Sequence, residues 1–179
     1  GSQNAHIVYP SPSPELKKQA EKLSNAVRAK TGVAIPVKSD IEVTEPDRPV
    51  IREPYRSQNL ILIGRLGTNR AIWPAYNRFL CAVDGYYPGG EGYVVRTASN
   101  VMRNGKNHII LGGSNDQSAV IAVKRFLEIV QDTEYKHKSL VLPWLLDVKL
   151  AGDCLAAFKA DDKRWGTSPL SPSLPRIQP

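Results

Sequence analysis

The residues of this 179-residue chain that could do chemistry are grouped acids, three histidines, two cysteines, a glycine-led helix start and a cluster of aromatic rings. Hydrolysis of a glycosidic bond needs two carboxyl groups roughly 5–10 Å apart across a cleft. The acidic neighbours are Glu42/Glu45/Asp47, Asp84/Glu91 and Asp161/Asp162. All lie in polar connections, where acids ordinarily keep a surface solvated, so no catalytic residue is assigned. His6, His108 and His137 share no helical face, and the His-Glu-x-x-His arrangement that presents zinc ligands one helical turn apart does not occur. No metal site is assigned and no cofactor is implied. Neither Cys81 nor Cys154 has metal or redox spacing; two buried thiols are the expectation, with a single disulfide as the alternative. Gly112-Gly113-Ser114-Asn115 could cradle an anion on exposed N–H groups. It lacks the lysine-serine ending of a phosphate loop, and a tight strand-to-helix turn explains it better. A Gly-x-Ser-x-Gly elbow is also absent from the sequence. The best binding signal is aromatic: Trp73, Tyr76, Tyr86 and Tyr87 stand close to a glycine-rich loop. Sugars offer apolar C–H faces that stack on such rings. The competing reading is that Trp73 and Tyr76 belong to a broken core helix while the loop docks on a neighbouring domain, and this reading is preferred.

The elements that must position these groups follow from periodicity. His6–Tyr9 reads as a strand, and Pro10-Ser-Pro-Ser-Pro14 ends it. Ser13 suits an N-cap and Pro14 a first helical position. Leu16, Ala20, Leu23 and Val27 form one apolar stripe, and Gly32 supplies the left-handed residue that closes the helix. Val33–Val37 reads as a second strand. Residues 38–58 form a proline-bearing connection in which Ile41/Val43 and Val50/Ile51 suggest an edge hairpin. Leu60–Ile63 suits a strand buried on both faces. Thr68 to about Leu80 is helical but divided at Pro74. After the turn 84–92 come strands Tyr93–Thr97 and His108–Leu111, expected to pair as a hairpin through the tight turn Asn104-Gly105. Ser114 then opens a helix, with Gln117 completing a capping pattern, and Ala119, Val123, Phe126 and Val130 mark its buried face. Residues 139–150 are apolar enough to close the sheet. The expectation is an α/β (α+β) layered sandwich with one mixed β-sheet and helices mainly on one face.

Composition narrows the function classes. Hydrophobic residues make up 41% and charged residues 23%, which argues against a disordered chain. The net charge of +7 is scattered, without a basic run or a basic helix interleaved with aromatics, so no nucleic-acid partner is expected. No stretch is apolar and long enough to be a membrane span. Gly1-Ser2 reads as an added remnant and the chain as a piece of a longer protein. Leu155–Ala160 reads as a short amphipathic piece. Residues 167–179 hold four prolines and three serines, a linker composition.

Three segments together resemble the small N-terminal domain that precedes the catalytic barrel in β-N-acetylhexosaminidases, α-glucuronidases and related glycoside hydrolases. They are Leu60-Ile-Leu-Ile-Gly64, Glu91-Gly-Tyr-Val-Val-Arg96, and His108-Ile-Ile-Leu-Gly-Gly113 running into Ala119-Val-Ile-Ala-Val-Lys-Arg-Phe-Leu127. The resemblance spans roughly residues 6–145. One departure is Gln117-Ser118, where the family often places a glycine ahead of the last helix's alanine. The resemblance implies a non-catalytic domain over residues 6–150, followed by a short helix and linker or tail over 151–179. It further implies a catalytic domain of the same polypeptide as partner, and a periplasmic or extracellular location. A carbohydrate-binding module that contacts polysaccharide through Trp73, Tyr76, Tyr86 and Tyr87 is the alternative.

Overall fold

The computed structural model describes residues 4–133, 135–136, 139–140, 142–152 and 154. In chain order the elements are β1 (Ala5–Tyr9), α1 (Pro14–Thr31), β2 (Val37–Ser39), the single turn α2 (Asp40–Val43) and β3 (Asn59–Gly64). The single turn α3 (Trp73–Tyr76), β4 (Tyr93–Ala98), β5 (His108–Gly112) and α4 (Asp116–Asp132) follow. The two-residue strands β6 (Tyr135–Lys136) and β7 (Ser139–Leu140) pair with each other, and β8 (Leu146–Lys149) closes the series. The main sheet runs β2-β1-β3-β5-β4-β8. β2, β1, β3 and β5 are mutually parallel, while β4 runs antiparallel to both β5 and β8. The chain is thus an α/β layered fold built on one mixed sheet, with its two long helices on one face.

Strand alternation sorts the core into two halves. Ile7, Ile61, Ile63, Val95 and Leu111 face α1 and α4, meeting Leu16, Leu23, Val123 and Phe126. Val8, Leu60, Leu62, Val94 and Ile110 face the other way, under Val43, Ile51, Ala71, Ile72, Ala75 and Val83. One face therefore has a continuous helical cover, and the other is roofed by single turns and loops.

The helix layer is pinned at both ends. Ser13 accepts the N–H of Leu16 as N-cap of α1, and its hydroxyl donates to the Asp116 carboxylate at the start of α4, 2.5 Å away. At the far end the Lys30 ammonium donates to the carbonyls of Val130 and Gln131, satisfying groups that a helix C-terminus leaves open. The two helices consequently run parallel, side by side.

Several expectations need correction. The second strand starts at Val37 rather than spanning Val33–Val37, because Pro36 has no N–H and contributes only its carbonyl, to Ile7. No edge hairpin forms around Ile41 and Val50. Ser39 instead starts the turn α2, with Glu42 reaching back to the Ser39 N–H at 2.7 Å, and only an isolated Thr44–Ile51 bridge remains. The β4–β5 hairpin is present, but Asn104-Gly105 sits within a longer loop where Asn100 and Arg103 also take positive φ. The last helix is capped by Asn115 with Ser118, one residue later than the Ser114/Gln117 pattern. Two short pieces form, but the break is not at Pro74: a 3₁₀ turn over Arg70–Ile72 leads into α3, whose first turn contains Pro74, and Trp73 before it keeps α geometry because a proline in a first helical turn removes no helical hydrogen bond. Cys81 and Cys154 are both buried and are not bonded to each other. The expected tail beyond residue 154 lies outside the described residues.

Two measurements follow from this packing. A Cβ at Gly113 would strike the Ser118 hydroxyl and lie 2.5 Å from the Ala119 nitrogen. Gly113→Ala should therefore lower unfolding free energy by about 1–3 kcal/mol in urea denaturation; an unchanged midpoint would refute the close-approach argument. His108, between Leu60 and Ala98 in the sheet, is fully buried with neither ring nitrogen hydrogen-bonded, and burial pushes its pKa down to about 4. The native ring stays neutral where the unfolded chain is protonated, so between about pH 6.5 and 4 the unfolded state binds more protons. Stability should fall as pH drops through that window, on the order of 3 kcal/mol from this residue. Urea midpoints at pH 7 and pH 4.5 measure the slope, which should flatten in His108→Leu.

Candidate functional site

The aromatic cluster is organised by one carboxylate. Asp84 follows the buried Val83 and leads the loop that returns to β4. Its Oδ1 accepts the backbone N–H groups of Tyr86 and Tyr87 at 2.8 and 2.9 Å, and its Oδ2 accepts the Tyr76 hydroxyl at 2.9 Å. Burial by itself would raise the Asp84 pKa, but the N–H groups of Tyr87 and Tyr86 and the Tyr76 hydroxyl outweigh it and hold the carboxyl below its ordinary range. The same bond to Asp84 raises the Tyr76 phenol above its ordinary value.

The rest of the loop is tied to its neighbours. The Gly89 N–H donates to the Ser114 hydroxyl at 2.9 Å, and the Asn115 amide donates to the Gly90 carbonyl at 3.0 Å. The Ala151 N–H donates to the Pro88 carbonyl at 3.0 Å. Gly92 is required here, because a Cβ would strike the Pro88 carbonyl and come within 2.6 Å of the Lys149 carbonyl. The loop is thus a fixed shelf held by the β5–α4 turn and by the chain leaving β8.

On that frame the four predicted ring residues separate. Tyr76 and Tyr87 are half-buried and pack against the core half under the loop. Tyr86 is 89% exposed and Trp73 41% exposed. Among the described residues the one ring pair in contact is His6–Tyr55, which meets edge to face at 5.1 Å, so these four rings form no mutual stack. Sequence reasoning missed Phe79, which is 94% exposed with a φ of 57° and closes the turn after α3. Left-handed backbone at a bulky residue is uncommon, and periodicity gives no sign of it.

The other candidates are occupied by the fold itself. In the Gly112–Asn115 turn the Ser114 carbonyl accepts from the Arg65 guanidinium at 2.9 Å, Ser114 Oγ takes Gly89, and Asn115 caps α4, which leaves a structural turn. Glu42 is committed to Ser39 and Lys38, and the bond from the Ser39 N–H does most to draw its pKa down. Asp161 and Asp162 lie outside the described residues. Among the described residues no group of three or more His, Cys, Asp or Glu side chains is placed to hold a metal ion. No described helix is long and apolar enough to cross a membrane. No family model matches the chain, and no curated protein matches it.

Removing the Asp84 carboxylate strands two N–H groups and a phenol at once. Asp84→Ala should cost about 2 kcal/mol and bring the Tyr76 phenol back down toward its ordinary pKa. Ultraviolet titration of the tyrosines, compared with and without the substitution, reads this directly. An unchanged Tyr76 titration would mean that Asp84 does not organise the shelf.

Proposed function

We propose that the chain is a non-catalytic accessory domain of a larger, exported carbohydrate-active enzyme, and that it packs against a catalytic domain of the same polypeptide. The observation that carries the reading is the exposure of Phe79 and Tyr86 on hydrogen-bonded loops. Large rings carried on hydrogen-bonded backbone keep the surface they present in place, so they suit the centre of a protein interface. They also lie on the loop-covered side of the sheet. Of the ten exposed large hydrophobic residues among the described ones, only Val33 and Ile121 belong to the helix layer or its exit. The glycoside hydrolase assignment, the location outside the cytoplasm and the lack of catalysis come from the resemblance of the three sequence segments.

A carbohydrate-binding module is the second reading, favoured by Tyr86, whose ring stands in solvent while its N–H is fixed on Asp84. Interdomain packing fits better. Phe79 has no polar group to hydrogen-bond a sugar hydroxyl, and both oxygens of Asp84 are already engaged.

Calorimetry against a panel of plant and host polysaccharides, and against the catalytic domain of the same polypeptide supplied separately, distinguishes the two. The expected result is no heat with polysaccharide and association with the catalytic domain, weakened roughly tenfold or more by Phe79→Ser or Tyr86→Ser. Polysaccharide binding that disappears in Tyr86→Ala or Trp73→Ala would replace this reading with the module. Silence toward every partner would reject both.

A further inference from the structure

The main sheet ends in two unlike edges. β2 is three residues long and lies between Pro36 and the turn α2, so it offers little backbone to another strand. β8 is the other edge, and Leu146–Lys149 contains neither proline nor glycine. The Thr97 N–H donates to the Leu145 carbonyl at 2.9 Å, continuing the register in which Val95 meets Asp147 and Tyr93 meets Lys149. In an antiparallel pair such bonds fall on alternate residues. Leu145, Asp147 and Lys149 therefore turn their N–H and carbonyl groups to β4, while Leu146 and Val148 turn theirs outward. Among the described residues no strand pairs with that outward side.

The side chains on this edge are sorted by face. Asp147 and Lys149 lie opposite Val95 and Tyr93, on the face covered by α1 and α4. Asp147 holds Arg125 at 2.6 Å, and its carboxylate can accept further bonds. Lys149 makes none of the ion pairs among the described residues. Leu146 and Val148 lie opposite Arg96 and Val94 on the loop-covered face, and Leu146 is 70% exposed. We propose that β8 pairs antiparallel with β8 of a second copy, Val148 opposite its own counterpart, about a two-fold axis perpendicular to the sheet. Charge selects this register. Centring the pair on Asp147 would set two carboxylates opposite each other, and centring it on Lys149 two ammonium groups, both destabilising. Centring it on Leu146 leaves Lys149 with no acid opposite. Centred on Val148, each Asp147 faces Lys149 of the other copy. Those two residues point their own backbone groups at β4, so they form the closer kind of pair, with Cα atoms about 4.5 Å apart. Val148 then exchanges N–H···O bonds with its counterpart, and Leu146 with Leu150 of the second copy, through the groups that point outward. The two sheets become one, with an apolar row of Leu146 and Val148 from both copies on the loop-covered face. The pairing uses neither Phe79 nor Tyr86 and stands independently of the accessory role.

Sedimentation of the full chain from micromolar to millimolar concentration tests this, together with hydrogen exchange resolved to single residues. The expected result is a dimer that forms as concentration rises. The Leu146 and Val148 amides should gain protection with it, while those of Asp147 and Lys149 are protected throughout by β4. Lys149→Glu should weaken association on the order of tenfold or more, because it sets two acids opposite each other at both ends of the pair. Val148→Pro should abolish association, because it removes an outward N–H and no bond to β4. Circular dichroism checks that both variants fold, and Lys149→Glu decides alone if Val148→Pro does not. A chain that stays monomeric throughout would overturn the proposal, as would a dimer that Lys149→Glu leaves unchanged. Protection of the Leu146 and Val148 amides that is independent of concentration would also overturn it, giving the edge to another segment of the same chain.

Discussion

Everything in this fold follows from the need to cover both faces of β3. Leu60, Ile61, Leu62 and Ile63 are all buried, and the strand is flanked by parallel neighbours on both sides. A strand in that position has no solvent side, so its alternate residues demand two separate layers. Burying side chains of this size contributes about 1.5–3 kcal/mol each, so both faces of the central strand must be covered. α1 and α4 meet one half of that demand. The other half falls to loops and single turns, which must be fixed by specific polar contacts because no regular element holds them.

That difference explains where the hydrogen-bonding side chains lie. Asn69 is fully buried and donates to the carbonyls of Val8 and Ile63 at 3.1 and 2.8 Å, linking the ends of β1 and β3 while its own oxygen starts the next turn. Asp40 accepts the N–H groups of Ser11 and Arg70, joining two more connections. Asp84 does the same for the aromatic shelf. Three short polar side chains thus replace the backbone ladder that a helix would have provided, each satisfying two or more backbone groups. The helix layer needs only end contacts, Ser13 with Asp116 and Lys30 with Val130 and Gln131.

The same asymmetry bears on function. A layer made of loops projects side chains that a helix layer would enclose, and most of the exposed apolar surface is found there. The polar groups nearby are consumed in holding those loops, so what remains for a partner is shape and apolar area. Such a surface suits the protein packing proposed above better than acid–base chemistry.

The sequence by itself determined the long elements and the layer class. The stripe Leu16/Ala20/Leu23/Val27, the cap at Ser13, the glycine at 32 and the apolar run 60–63 are local patterns whose physical meaning does not depend on distant residues. The signal for α2 was also local, Ser39 followed three residues later by Glu42, but the apolar pairs around it suggested a hairpin instead. Only the tertiary structure decided what the aromatic residues do. Tyr76 and Tyr87 are packed while Tyr86 and Phe79 are exposed. Asp84 fixes the loop through the Tyr76 hydroxyl and the Tyr86 and Tyr87 N–H groups, and a left-handed backbone at Phe79 closes the turn after α3. Those are contacts between segments and single-residue dihedral choices. Periodicity records how often a side chain turns toward a core, whereas a loop has no repeating direction for it to record.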